Sequence, residues 1–298
     1  MRLQELGSSG LRVSRVGLGC NNFGRRLDLE ATGRVVEAAL EAEITFFDTA
    51  DVYGDGDSER FLGELLEGRR GEVVLATKFG MGTEGDGPAP GSRTYARRAL
   101  ERSLERLRTD HLDLFYYHRP DGVTPIGETI AALDELREEG LIRALGVSNF
   151  DARQLDEAVA AGPVAALQNR HNLLERDAER EVLPRCRELG VGFVPYFPLA
   201  SGLLTGKYRR GDPPPSGSRL EGQPERLTDE AFDRVEALEA FARERGRTLL
   251  EVAIGGLASQ PGVASVIAGA TSPEQVRANA TAGDWELRAD ELEELARL

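Results

Sequence analysis

VVLATKFGMGTEGDGPAPGS, residues 73 to 92, admits two readings, and the choice between them decides the fold. GMGTEG at 80 to 85 fits Gly-x-Gly-x-x-Gly and follows a strand-like run, the nucleotide fingerprint of an open doubly wound sheet. That fingerprint brings a pyrophosphate to a helix N-terminus, so it must open a helix. Here the chain runs on into DGPAPGS, whose Pro88 and Pro90 mark a loop. The stretch is therefore read as a short buried strand, a lysine (Lys78) at its C-terminal edge, and a long loop. Lysine occurs at only one other position, Lys207, so arginine makes up 35 of the 37 basic residues. A lysine kept against that bias marks a place where a point ammonium serves and a guanidinium fork does not.

Outward from this strand the same alternation fills the chain. Strand-like runs stand at RVGLG (15 to 19), ITFF (44 to 47), VVLAT (73 to 77), LDLFYY (112 to 117), IRALGV (142 to 147), AALQ (165 to 168), VGFVPY (191 to 196) and SVIAG (265 to 269). Amphipathic stretches lie between them. Thr124-Pro125 offers a cap and a first-turn proline before IGETIAALDELREE, and Gly140 a stop. Asp151 and Gln154 offer a capping box before LDEAVAA, with Gly162 after it. Eight βα units in roughly 250 residues predict an α/β fold, a (β/α)₈ TIM barrel. No linker divides residues 1–298, which are read as one barrel domain with an N-terminal β-hairpin expected to cap its bottom.

With 298 residues, 40% of them hydrophobic, the chain is long enough for a large core. It has no apolar stretch of about eighteen residues. MRLQELGSSG lacks the blocks of a secretory signal, so a cytoplasmic location is expected. Cys20 and Cys186 make no disulfide framework, and His111, His118 and His171 form no metal-ligand spacing; no metal is expected. A net charge of −14 argues against nucleic acid and anionic membranes as partners. An anionic ligand must then find a local positive pocket.

In a barrel the active site lies at the carboxyl ends of the strands. Those ends are polar: Asp48 with Tyr53 after it, Lys78, His118, Ser148 with Asn149, Gln168, Tyr196 and Gly269. Each has an innocent explanation. Asp48 can cap a turn, Lys78 can be solvated, His118 can be packed, Ser148 and Asn149 can cap a helix, Gln168 can bond a neighbouring strand, and Tyr196 can be core. An acid, a phenol, a lysine and a histidine at three consecutive strand ends are not readily independent accidents.

FFDTADVYG, LATKFG, YYHRPD, GVSNF, LQNRHNLLER, YFPLASGLLTGKY and IAGATSPEQVRAN, taken in order, resemble the aldo-keto reductase family over nearly the whole chain. The resemblance implies a nicotinamide cofactor and a catalytic tetrad of Asp48, Tyr53, Lys78 and His118. Tyr53 would protonate the substrate oxygen, its pKa lowered by Lys78; Asp48 would hold the ammonium, and a neutral His118 would orient a small-molecule carbonyl substrate. It also implies that Ser148, Asn149 and Gln168 bond the carboxamide while Tyr196 stacks under the ring. The pyrophosphate would lie along Leu199, Ser201, Gly202 and Leu203, with Lys207 on a phosphate. The adenosine end would meet Gly269, Thr271, Gln275 and Asn279, where Pro273 starts a helix and Ser272 with Gln275 forms a capping box. Gly19, Cys20, Asn21 and Asp48 complete the expected cofactor contacts.

Thr271 and Ala278 stand where many relatives carry a basic residue and a glutamate, and Phe197 and Cys20 replace a common serine and threonine. Arg219 falls where relatives place an arginine on the 2′-phosphate, which favours NADP over NAD. The loops GMGTEGDGPAPGSRTY and KYRRGDPPPSGSRLEGQPERLT are expected to shape the pocket. Two other functions stay open: a Schiff-base aldolase using Lys78, and a cofactor-bound regulatory protein like the potassium-channel beta subunits, with little turnover.

Overall fold

The computed structural model describes residues 1–82 and 87–298, Pro224 by its backbone alone. Thr83 to Asp86, where the second half of the glycine fingerprint falls, lie outside the described residues. β1 (Leu3–Glu5) and β2 (Arg12–Ser14) form an antiparallel hairpin, Leu3 opposite Ser14. β3 (Val16–Gly19), β4 (Phe46–Asp48), β5 (Val74–Phe79), β6 (Leu112–Tyr117), β7 (Ile142–Ser148), β8 (Val164–Arg170), β9 (Gly192–Tyr196) and β10 (Val266–Gly269) pair in parallel in chain order. β10 then pairs with β3, which closes an eight-stranded barrel. All eight predicted runs are strands. β5 extends to Phe79, so Lys78 lies inside its strand rather than beyond it.

α1 (Leu29–Glu41), α2 (Asp57–Leu65), α3 (Arg93–Leu107), α4 (Ile126–Glu138), α5 (Ala152–Ala161) and α6 (Val182–Leu189) each fill one connection. The β9–β10 connection holds two helices, α7 (Asp229–Glu244) and α8 (Leu249–Ala258). α9 (Pro273–Ala282) follows β10 and packs on α1, closing the outer ring, and α10 (Ala289–Ala296) comes last. α8 is apolar nearly all round because α7 and Leu295 of α10 cover the side turned away from the barrel.

Period two sorts the strand residues between two cores. Val16, Leu18, Phe47, Leu75, Phe115, Leu145, Leu167 and Phe193 point outward into one cluster with the helices. Phe46, Ala76, Leu114, Ala144, Ala166, Val194 and Ile267 point inward and form a second cluster with Leu6, Leu11 and Val13 of the hairpin segment. The hairpin thus plugs the end where the strands begin. Ser14 Oγ accepts from Thr45 N at 3.0 Å and Phe46 N at 3.2 Å, and Ser265 Oγ donates to Ser14 O at 2.8 Å. Gly7 has φ +56° there, and a Cβ on it would lie 2.3 Å from Ala165 O, so only glycine allows the approach. Burying each large apolar side chain contributes roughly 2 kcal/mol, which sets the whole interior against the cost of the charges above it.

Two helix starts differ from expectation. Thr124 does not cap α4: its hydroxyl and amide both bond Asp121, at 2.8 Å, and the helix begins after Pro125 without a side-chain cap. Ser272 caps α9 through Gln275 N, with Pro273 in the first turn, but the Gln275 side chain reaches past Ser272 to Thr271 N at 2.8 Å, so the reciprocal box does not close. The Asp151–Gln154 box is complete.

Candidate active site

The inward row does not stay apolar to the top. Two residues beyond Phe46 stands Asp48; beyond Ala76, Lys78; beyond Leu114, Tyr116 and then His118; beyond Ala166, Gln168; beyond Val194, Tyr196. Sheet periodicity alone delivers these polar groups to one mouth. They line, or lie just beneath, a cavity of about 570 Å³.

Lys78 is wholly buried, and its Nζ donates to Asp48 Oδ2 at 2.7 Å and to Thr49 O at 2.8 Å. Burial opposes its charge, but Asp48 and Tyr53 outweigh that and raise its pKa, so it stays an ammonium. The other oxygen of Asp48 accepts from Gln168 Nε2 at 2.9 Å. The Lys78 Nζ lies 5.2 Å from the centre of the Tyr53 ring and 5.9 Å from that of Tyr116.

Tyr53 comes from a 3-10 turn, Tyr53–Gly56, tied back by Tyr53 N to Ala50 O at 3.1 Å. Gly54 sets that turn at φ +57°, where a Cβ would lie 2.8 Å from Phe23 O. The expected lowering of the Tyr53 pKa is not the net result. Burial raises it, and Lys78, itself compensated by Asp48, only partly offsets the rise. The phenol is therefore held in its protonated form. His118 meets Tyr53 edge to face, ring centres 6.2 Å apart, and burial with Lys78 and Arg119 nearby pushes its pKa down to about 3. Its imidazole is neutral, and Nδ1 is buried without a hydrogen-bond partner.

Ser148 and Asn149 do not cap a helix; Asp151 does. Ser148 Oγ donates to Gln168 O at 2.7 Å, and Asn149 Nδ2 donates to His118 O at 2.9 Å. Tyr196 OH donates to Asn149 Oδ1 at 2.8 Å, so the edge of its ring is fixed. Asn149, Phe197, Ala200 and Ser201 all carry positive φ, 61°, 67°, 46° and 60°. Such strain in non-glycine residues, clustered at one mouth, is a mark of a functional site. Phe197 lies between two guanidiniums, Arg170 at 4.7 Å and Arg219 at 5.8 Å.

The cavity wall includes Gly19, Cys20, Asn21, Asp48, Tyr53, His118, Ser148, Asn149, Gln168, Tyr196, Leu199, Ser201, Gly202, Lys207, Arg219, Gly269, Thr271, Gln275 and Asn279, all of them picked out by sequence. Lys78 stands behind it. Leu203 departs from expectation: its side chain packs in the outer core and does not reach the cavity. Cys20 is buried, and burial with Asp48 nearby raises its thiol well above the usual range, so it is not a nucleophile. Of the two loops expected at the mouth, Met81 of the first and Lys207, Gly217, Ser218 and Arg219 of the second reach the wall.

Sequence reasoning passed over Asn22, Arg26 and Arg119, which also line it. Asn22 bonds Ala270 O at 3.1 Å and accepts from Arg219 at 3.4 Å, joining the loops after β3 and β10. Extending the strand-end argument past Gly19 finds it. Burial, Arg26 and Arg25 lower the Arg219 pKa, so three guanidiniums share this corner.

Among the described residues no group of three His, Cys, Asp or Glu could hold a metal ion, and no helix is long and apolar enough to cross a membrane. Residues 15–298 match the model of the Aldo/keto reductase family. The chain is 36% identical, over 95% of its length and 92% of the relative's, to a probable voltage-gated potassium channel subunit beta from Oryza sativa subsp. japonica. Two solved structures are similar. One is the glycerol dehydrogenase AKR11B4 from Gluconobacter oxydans, with TM-score 0.86, 30% identity, and 99% of this chain and 94% of that one covered. The other is the holo form of aldo-keto reductase AKR11C1 from Bacillus halodurans, with TM-score 0.84, 33% identity, and 100% and 96% covered.

Proposed function

The chain belongs to the aldo/keto reductase family, and from that premise we propose that it reduces an aldehyde or ketone with NADPH, Tyr53 giving the proton. The observation that carries this is the buried Asp48–Lys78 pair set against Tyr53 and His118 at the mouth of a closed barrel. A carbonyl oxygen that gains charge needs a donor at hand, and Tyr53 keeps its proton. Lys78 stabilises the phenolate left behind by that transfer, which matters more than the resting pKa. Asp48 and Thr49 O fix the ammonium. Neutral His118 orients the carbonyl oxygen without competing for the proton.

Hydride for the carbonyl carbon is the chemistry a bound reduced nicotinamide supplies. The residues present fit such a group. Lys207 packs over the bare backbone of Gly202, where a Cβ would sit 2.7 Å from Nζ, so glycine there lets the ammonium lie close against the cavity wall, where a pyrophosphate would meet it. Gln168 gives its amide N–H to Asp48 and keeps its carbonyl oxygen for a carboxamide, while Tyr196, Ser148 and Asn149 hold one another in place beside it. Arg219 with Arg26 suits a 2′-phosphate, so NADP is preferred over NAD, and Gln275, Thr271 and Asn279 flank the adenosine end. The partner is a small carbonyl compound, the location cytoplasmic.

The test is loss of nicotinamide absorbance when NADPH, and separately NADH, is mixed with the protein and a panel of aldehydes and ketones. No turnover with any of them, while cofactor remains bound through purification, favours a second reading: a channel-beta-like regulatory protein, suggested by the Oryza sativa relative. The aldolase alternative fits poorly, since a buried, paired, protonated Lys78 is not a free amine.

A further inference from the structure

We propose that the substrate end of the cavity takes carbonyl compounds that also carry a carboxylate, held by the Arg119 guanidinium. This substrate class rests on the reductase assignment above. Arg119 follows His118 at the end of β6, is exposed, and lines the cavity. Among the described residues its side chain makes no hydrogen bond or ion pair, in a chain whose 51 acidic residues outnumber its 37 basic ones. Many arginines on this surface are paired, Arg210 with Asp229, Asp233 and Glu236 at once. Of those whose side chains have no hydrogen-bond or ion-pair partner among the described residues, such as Arg98, Arg187 and Arg243, only Arg26 and Arg119 line the cavity. An arginine left free in such surroundings, beside the imidazole that faces the reacting carbonyl, is placed for a ligand.

Cofactor phosphates are not that ligand. Lys207 and Arg219 follow β9, and Thr271 and Gln275 follow β10, whereas β6 stands four strands from β10, on the far side of the barrel. Arg119 instead acts on His118 and Tyr196, whose ionisation it influences. Asp48 is the one acid among the described lining residues, and Lys78 compensates it, so a carboxylate arriving here meets no repulsion at short range. The guanidinium fork matches a carboxylate with two parallel hydrogen bonds.

With NADPH, 4-carboxybenzaldehyde should be reduced with kcat/KM about tenfold above that of its uncharged methyl ester, the margin of one partly exposed charged hydrogen bond. Arg119→Leu should bring that ratio to about one, Arg119→Lys should keep part of it, and added salt should erode it. Benzoate and benzamide, which cannot react, give a second readout by titration calorimetry with and without NADP⁺. Benzoate binding that Arg119→Leu removes supports the subsite even where turnover is absent, and that combination overturns the reductase assignment alone. A wild-type ratio at or below one, or benzoate affinity unchanged in Arg119→Leu, overturns the subsite; the reductase assignment then stands as long as the ester is still reduced.

Discussion

Gln168 reaches across the diameter of the barrel, from β8 to β4, to give Asp48 Oδ1 a 2.9 Å hydrogen bond, while Lys78 holds the other carboxylate oxygen at 2.7 Å. Asp48 is thus fully engaged, its own carboxylate almost closed to water. Gln168→Leu leaves one buried carboxylate oxygen unpaired, and a loss of about 1–3 kcal/mol is expected in denaturant unfolding. Lys78→Met leaves the whole charge unpaired and should cost more, about 3–5 kcal/mol, together with turnover. Equal stability of both variants and wild type would mean that the pair is not buried as described.

The pH dependence follows from His118 and Tyr53. His118 has a folded pKa of about 3 against an ordinary 6.5, so its contribution to stability is present above pH 6.5 and drains away as the pH falls toward 3, when the unfolded chain takes up a proton that the folded one refuses. The Tyr53 phenol is raised above its ordinary value of 10.0. Neither group titrates between about pH 6 and pH 9, so neither should put a break in kcat/KM there. A break near neutrality that disappears in His118→Gln would contradict the neutral imidazole.

Asp51, two residues before Tyr53, carries a strain of the opposite sign. Burial and the neighbouring Glu59 raise its pKa from 3.8 to about 7, against the pull of Arg106, the Val52 N–H and Arg102, and its Oδ1 has no hydrogen-bond partner. A raised carboxyl contributes stability below pH 3.8 and loses it as the pH climbs through 7. Asp51→Asn should accordingly be more stable than wild type at pH 8, by about 2 kcal/mol, and nearly equal to it at pH 4. Melting curves at the two pH values check this, and a variant less stable at pH 8 would refute it.

Arg219 is expected to set cofactor choice. Arg219→Gln should cut the preference for NADPH over NADH, measured as a ratio of kcat/KM, by about tenfold or more, and Arg26→Gln by less, because the pair shares one dianion. An unchanged ratio in both variants would move the 2′-phosphate elsewhere.

Much of this was legible in the chain because period two does two jobs at once. The spacing that buries Phe46, Ala76, Leu114 and Ala166 also lifts Asp48, Lys78, His118 and Gln168 to the mouth. Lys78 stood out by its rarity. Arg26 and Arg119 could not, since one arginine among 35 has no contrast. The direction of the Tyr53 shift depends on whether burial or the Lys78 ammonium wins, a balance set by side-chain packing that the linear chain does not display. Thr124 failed as a cap because Asp121, three residues earlier, outcompeted the helix for its hydroxyl and amide. Gln275 reached Thr271 instead of Ser272 for the same kind of reason, a choice among near neighbours worth little either way.

The most direct measurement is Tyr53→Phe, with turnover and NADPH affinity determined on the same preparation. Deleting only the phenol oxygen should lower kcat by about 10²-fold or more and leave the NADPH dissociation constant nearly unchanged. Turnover equal to wild type, with the cofactor still bound, would show that the proton comes from another group and that the Asp48–Lys78 pair beneath Tyr53 serves stability alone.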